Sequence, residues 1–190
     1  EAQTVRVMPL GNSITRGGGS TGEVGYRRPL YLMLDQAGYQ VDFVGSMIHG
    51  SPVDFDVEHE GHGGYRADQL RDTITWWLDD NPADIILLHI GINDIAGSNE
   101  DPQEVYDLLD SIDVWEAANH PVAVIIASRI VLRWDGNDPE TIAFNDSVAT
   151  LVQQRIAAGD SLIAVDMEHA LVYPDDLRDG VHPNDVGYQK

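Results

Sequence analysis

Cysteine is absent from all 190 residues. That removes disulfides, thiolate nucleophiles and Cys-ligated zinc together, and leaves the redox compartment open because many secreted enzymes also lack it. Lysine is nearly absent as well, Lys190 being the single one, and 32 acidic against 11 basic residues give a formal net charge of −21. Such a field repels phosphate and anionic lipid and offers no basic stripe from which DNA would release counterions, so neither nucleic acid nor a membrane surface is expected as a partner. The balance suits a salt-rich medium that screens self-repulsion, and equally the solvated surface of an ordinary extracellular protein. No apolar run reaches the roughly eighteen residues of a membrane span. The glycine-rich "GNSITRGGGSTG" (11–22) has no lysine and neither the G-x-x-x-x-G-K-[ST] nor the G-x-G-x-x-G spacing, which argues against a phosphate-binding loop. The chain starts at Glu1 rather than methionine, as expected of a processed or excised piece.

What is present is a hydrophobic fraction of 43%, enough for one buried core, so residues 1–190 are expected to form a single domain. After "VRVMPL" (5–10) come four more short, β-branched apolar runs: "VDFVG" (41–45), "DIILLHIG" (84–91), "VAVIIASRI" (122–130) and "LIAVDM" (162–167). Continuous runs of this kind mark strands buried on both faces, as in a parallel sheet. Helical periodicity lies between them, over 26–37, 67–78, 104–118 and 141–157. Asp101-Pro102 and Asp138-Pro139 have the form of an N-cap followed by proline, and Gly38 and Gly159 that of helix stops. The alternation predicts a three-layer α/β/α, flavodoxin-like domain with a five-stranded parallel sheet in the order 2-1-3-4-5, its site beyond the carboxyl ends of the strands.

Ser13 falls at such an end, where a serine is open to three readings: turn residue, helix cap or nucleophile. A nucleophile requires a base, a group that orients the base, and donors for the oxyanion. "RDGVHPND" (178–185) supplies Asp179 and His182, three residues apart after the last strand. At that spacing a carboxylate can touch ring Nδ1 and leave Nε2 for a serine, although a solvated turn reads the same way. Candidate oxyanion donors are the Ser13 N–H, an N–H in "EGHGGY" (60–65) such as that of Gly64, and the amide of Asn93 in "IGIND" (90–94); Gly64 and Asn93 are equally readable as turn residues. Asp54, Asp56, Glu58, His59 and Glu60 make a metal site conceivable, but not with EF-hand spacing, and none is assigned. Trp76 and Trp77 place at least one indole in the core. Trp134, after the fourth strand, is readable as core packing or as a platform for a sugar ring.

Four blocks in order, "GNSIT", "EGHGGY", "GIND" and "DGVHPN", resemble those of the SGNH, or GDSL-like, hydrolases. "RVMPLGNSITRGG", "FVGS" and "EHEGHGGY" are most similar to carbohydrate esterase family 3, the acetyl xylan esterases. The resemblance implies Ser13 as nucleophile, His182 as base, Asp179 as its orienting carboxylate, and an oxyanion hole from the Ser13 N–H, the Gly64 N–H and the Asn93 side chain. It implies a secreted serine esterase that needs no cofactor and acts on acetylated polysaccharide, xylan above all, or on a small ester. An esterase or lipase on another acyl group, and a non-catalytic carbohydrate-binding domain of the same fold, are the rival readings. The chain departs from the family's pattern in carrying Asn12 for the usual aspartate and Ile92 for the usual threonine. It also stops at "GYQK", where the family continues into a final helix.

Overall fold

A computed structural model describes residues 4–96, 101–127 and 139–190. Strand β1 (Val5–Gly11) runs through the centre of the sheet, buried on both faces from Val7 onward. Strands β2 (Val41–Phe43), β5 (Ile85–His89), β6 (Ala123–Ala127) and β7 (Leu162–Val165) are parallel to it, β2 on one side and β5, β6 and β7 in succession on the other.

The five-strand expectation is corrected by two further strands, β3 (Met47–Ile48) and β4 (Glu58–Gly61), which make the sheet seven-stranded along the path β3-β4-β1-β5-β6-β7, with β2 pairing β1 off that path. The reason is length. β2 covers only Val5 to Val7 of β1, and β4 takes the same edge further on, pairing Leu10 with Glu60 and Gly11 with Gly61. β3 is only two residues long and β4 is polar, so neither carries an apolar run for a sequence reading to find.

Helix α1 (Ser13–Arg16) follows β1 immediately; α2 (Arg27–Gln36), α3 (Ala67–Arg71), α4 (Ile74–Asp80), α5 (Ile92–Ala96), α6 (Gln103–Ala118) and α7 (Pro139–Ala158) make up the rest. The single helix expected over 67–78 is broken in two. Thr73 Oγ donates to the carbonyls of Gln69 (2.8 Å) and Leu70 (3.3 Å), satisfying the open end of α3 with a side chain. At α6 the cap is as expected: Asp101 Oδ1 accepts the Gln103 N–H at 2.9 Å, with Pro102 between them. Asp138 and Trp134 lie outside the described residues.

Helix α6 packs against α3, α4 and α7, and the apolar core joins Met8, Leu10, Leu70, Leu88, Leu108 and Val148. The last strand departs from the two-faced burial expected of it, with Ile163 57% and Val165 37% exposed. Trp77 is the partly buried member of its pair, whereas Trp76 is 70% exposed. Among the described residues no helix is long and apolar enough to cross a membrane.

Candidate active site

Gly11 is the junction of the site. It pairs with Gly61 on one side and His89 on the other, so β1, β4 and β5 finish level with one another, and Ser13, Gly64 and Asn93 all follow within four residues of those ends. Beyond β1 the chain turns at once into α1. Asn12, wholly buried, accepts the Ile14 N–H on Oδ1 at 3.0 Å and so caps the helix. Ser13 is thereby the first helical residue, and its own N–H is among those that have no acceptor inside the helix.

Ser13 Oγ lies 2.9 Å from His182 Nε2, across a sequence separation of 169. On the far side of the ring, Nδ1 is 3.0 Å from Asp179 Oδ2 and 3.1 Å from Oδ1. A carboxylate only accepts, so Nδ1 carries the ring proton and Nε2 is left to accept from the serine hydroxyl. Asp179 Oδ1 also accepts the N–H groups of Val181 (3.0 Å) and His182 (2.9 Å), which fixes the turn. Burial raises the Asp179 carboxyl, but those N–H groups and the His182 ring outweigh it and hold the group below the usual carboxylate range. The aspartate is therefore an ionised acceptor beside the ring.

The glycine tract explains why the ring can come so close. A Cβ on Gly18 would stand 2.9 Å from His182 Cδ2 and 3.2 Å from Nε2, so only hydrogen fits there. The histidine turn is tied down elsewhere too. Tyr188, nearly buried, donates its hydroxyl toward the carbonyls of Gly18 (2.7 Å) and Ile14 (3.1 Å). Asp185 receives both the N–H and the hydroxyl of Thr21 at 2.7 Å. Residues 13–21 and 182–188 therefore form one interlocked surface.

The loop after β4 is anchored at both ends. The His62 N–H donates to the Gly11 carbonyl at 2.9 Å, and Asn93 Nδ2 donates to the Tyr65 carbonyl at 2.8 Å. An amide has two hydrogens on that nitrogen, so Asn93 keeps a second donor beyond the one spent on Tyr65. Gly64 lies between the anchors at φ +83°, a left-handed backbone that glycine adopts without strain. The His62 ring stacks on Trp77 (4.6 Å between centroids) and Tyr65 (4.8 Å), and its Nε2 meets the buried Glu60 carboxylate at 2.5 Å.

Three of the four acidic residues of 54–60 are occupied structurally. Asp54 pairs with Arg28, Asp56 accepts the Phe43 N–H, and Glu60 accepts the N–H and hydroxyl of Ser46. His59 Nδ1 accepts the Gly61 N–H at 2.8 Å, and its Nε2 faces His49 Nδ1 at 3.1 Å. Among the described residues no group of three His, Asp or Glu side chains is arranged to hold a metal.

Sequence reasoning overlooked Arg27. It is fully buried and donates to five carbonyls, those of Thr15, Arg16, Glu23, His49 and Val57, all within 3.1 Å. Desolvation, only partly offset by Tyr26, Tyr188 and Glu23, lowers the guanidinium to about 10. A charged residue inside a helical pattern gives no sign that it is the rivet behind α1.

A parallel-sheet α/β fold with a hydrogen-bonded serine, histidine and aspartate beyond its strand ends has the form of a hydrolase. The chain belongs to the GDSL-like Lipase/Acylhydrolase family, whose model matches residues 10–190. It is similar in structure to a family 3 carbohydrate esterase of Clostridium thermocellum, with a TM-score of 0.86 and 29% identity over 98% of this chain and 90% of that one. A family 3 carbohydrate esterase from Talaromyces cellulolyticus gives 0.81 and 31% over 97% and 91%. A serine-to-alanine mutant of an acetyl esterase, with acetate ion, gives 0.80 and 30% over 97% and 91%. The chain is also 31% identical over 215 residues to a multidomain esterase of Ruminococcus flavefaciens, and spans 28% of that protein's length. These comparisons support an esterase of the GDSL, carbohydrate esterase family 3 type.

Proposed function

We propose that this chain is a secreted serine esterase that removes acetyl groups from an acetylated polysaccharide, with xylan as the first candidate. The observation that carries the reading is the run of contacts from Ser13 Oγ through His182 to Asp179, each within 3.1 Å. In this reading Ser13 Oγ attacks the acetyl carbonyl while His182 Nε2 takes its proton. The negative charge on the carbonyl oxygen is met by the N–H groups of Ser13 and Gly64 and by the unspent Asn93 hydrogen. Collapse of the tetrahedral species returns the proton from His182 to the departing sugar oxygen and leaves acetyl on Ser13. Water then repeats the sequence, giving up its proton to His182 and releasing acetate. Asp179 holds the imidazolium throughout and changes no proton.

A short acyl group is favoured by the surroundings. An apolar hollow of about 360 Å³ takes its lining from Ile14, Met33, Val165, Leu171 and Tyr188 but not from Ser13, so it offers the serine no wall for a long acyl chain. The test is release of acetate from acetylated xylan, set beside hydrolysis of short and long p-nitrophenyl esters. Acetate release with a preference for the acetyl ester is expected. Rates that rise with acyl length would replace this reading by a lipase, and inactivity on every ester would leave a binding domain. Ser13→Ala is expected to abolish turnover by about four orders of magnitude or more, as is His182→Ala, with the double variant little worse than either because the parts act as a unit.

A further inference from the structure

Asp94 stands next to Asn93 on α5 and is wholly buried. Its Oδ1 accepts the Ala67 N–H at 3.0 Å, while Oδ2 has no hydrogen-bond partner. Burial raises the carboxyl to about 6, against the pull of the backbone N–H groups and of Arg66 and with the push of Asp68. A half-satisfied buried carboxylate costs the fold stability, so what it holds in place is of interest.

It holds the far end of the loop that carries Gly64. Asn93 grips the Tyr65 carbonyl and Asp94 grips the Ala67 N–H, so consecutive residues of α5 seize a carbonyl and an N–H two residues apart on one strand of chain. Ala67 opens α3, and its N–H is one that the helix itself leaves unpaired. On the near side the His62 N–H is fixed to Gly11, the last residue of β1. Gly64 is therefore suspended between β1 and α5, and the tension of the far anchor is set by Asp94.

We propose that Asp94 is a positioning residue of the oxyanion hole: by holding the Ala67 N–H it fixes the 62–67 loop so that the Gly64 N–H, and the Asn93 amide tied to the same loop, face the oxyanion. This rests on the roles given to Ser13, Gly64 and Asn93 above. The acceptor atom is what matters, not the charge, since an amide oxygen would grip Ala67 equally well.

The test compares Asp94→Ala, Asp94→Asn and Ala67→Pro, with Ser13→Ala as reference. Proline is accommodated at the first position of a helix and removes the N–H that Asp94 accepts, so it breaks the contact from the other side; since Ala67 is itself buried, the melting temperature is read alongside to separate a packing loss from the lost contact. The readouts are kcat and KM on p-nitrophenyl acetate, the inhibition constant of a boronic acid that binds serine as a tetrahedral adduct, and the melting temperature. Asp94→Ala and Ala67→Pro are expected to lower kcat about tenfold or more with KM within twofold, and to weaken the boronate by a similar factor. Asp94→Asn is expected to stay within about threefold of wild type in kcat. Unchanged kcat in both contact-breaking variants, or a loss confined to KM or melting temperature, overturns the proposal. So does an Asp94→Asn variant as slow as Asp94→Ala. Wild-type turnover in Ser13→Ala would instead bring down the esterase mechanism itself.

Discussion

His182 reaches Ser13 through a gap that one methyl group would close. Gly18→Ala places a carbon 2.9 Å from His182 Cδ2, so the ring must swing away from the serine. We expect kcat to fall about a hundredfold with KM little changed, since misplacing a proton acceptor by an ångström leaves ground-state binding alone. Asn93→Ala removes both the proposed oxyanion donor and the Tyr65 anchor, and is expected to cost roughly a hundred- to a thousandfold in kcat. Steady-state kinetics on p-nitrophenyl acetate check both, and an effect on KM alone would place Asn93 in substrate binding. The candidate site was legible here because its members are local in sequence: a serine two residues past a strand, and Asp179 and His182 close enough to meet on one turn. Arg27, Asp94 and Tyr188 were not legible, because they act on backbone as far as 30, 27 and 174 residues away and only the fold brings the partners together.

The strands and helices repeat that division. Five apolar runs announced β1, β2, β5, β6 and β7, since continuous burial leaves a compositional mark. Strands β3 and β4 left none, because "EHEG" owes its place to the free edge of β1 and not to its own residues. The break between α3 and α4 depends on where one threonine hydroxyl turns. Burial within these elements has a consequence for acid stability. Desolvation and the nearby Arg27 lower His59 on β4 to about 2, and desolvation lowers His89 on β5 to about 4. Below 6.5 the unfolded chain binds protons that these folded imidazoles refuse, so this stability is present above 6.5 and lost as pH falls. Asp94, raised by burial to about 6, binds its proton earlier in the folded state and offsets one of the two. Between pH 6 and 4 these three groups together contribute one proton, or a loss of about 1.4 kcal/mol per pH unit. Urea unfolding across that range is expected to show stability falling with pH, this contribution included. His59→Asn keeps an acceptor for the Gly61 N–H but has nothing to titrate, and is expected to flatten it.

Across the molecule most of the cations among the described residues are already engaged. Arg6, Arg16, Arg28, Arg66 and Arg71 are paired with carboxylates, Arg155 faces Asp110, Asp113 and Asp160 together, and Arg27 is spent on carbonyls. The excess of negative charge is left to repel itself. Because the Debye length shrinks from roughly 30 Å at 0.01 M salt to about 3 Å at 1 M, we expect the melting temperature to rise with sodium chloride over that range. An equal osmolality of sucrose separates screening from exclusion. A melting temperature flat in salt while sucrose raises it would show that the carboxylates are only a solvated coat.

Ser13 and His182 are separated by 169 positions, and the surface that joins them draws on residues 176–188 as well as 13–21. On a ribosome moving at roughly 5–20 residues per second, the serine waits on the order of 10 to 30 seconds for its histidine to be made. Under the proposed mechanism a nascent chain that ends before residue 182 has no base for Ser13, whose side chain is then one alcohol among many. On refolding from urea the whole chain is present, and closing the 169-residue separation sets the order instead: esterase turnover is expected to return after the helical signal, in step with the last phase of folding. Turnover that recovered together with the first helical signal would mean that the two ends meet before the sheet between them is complete.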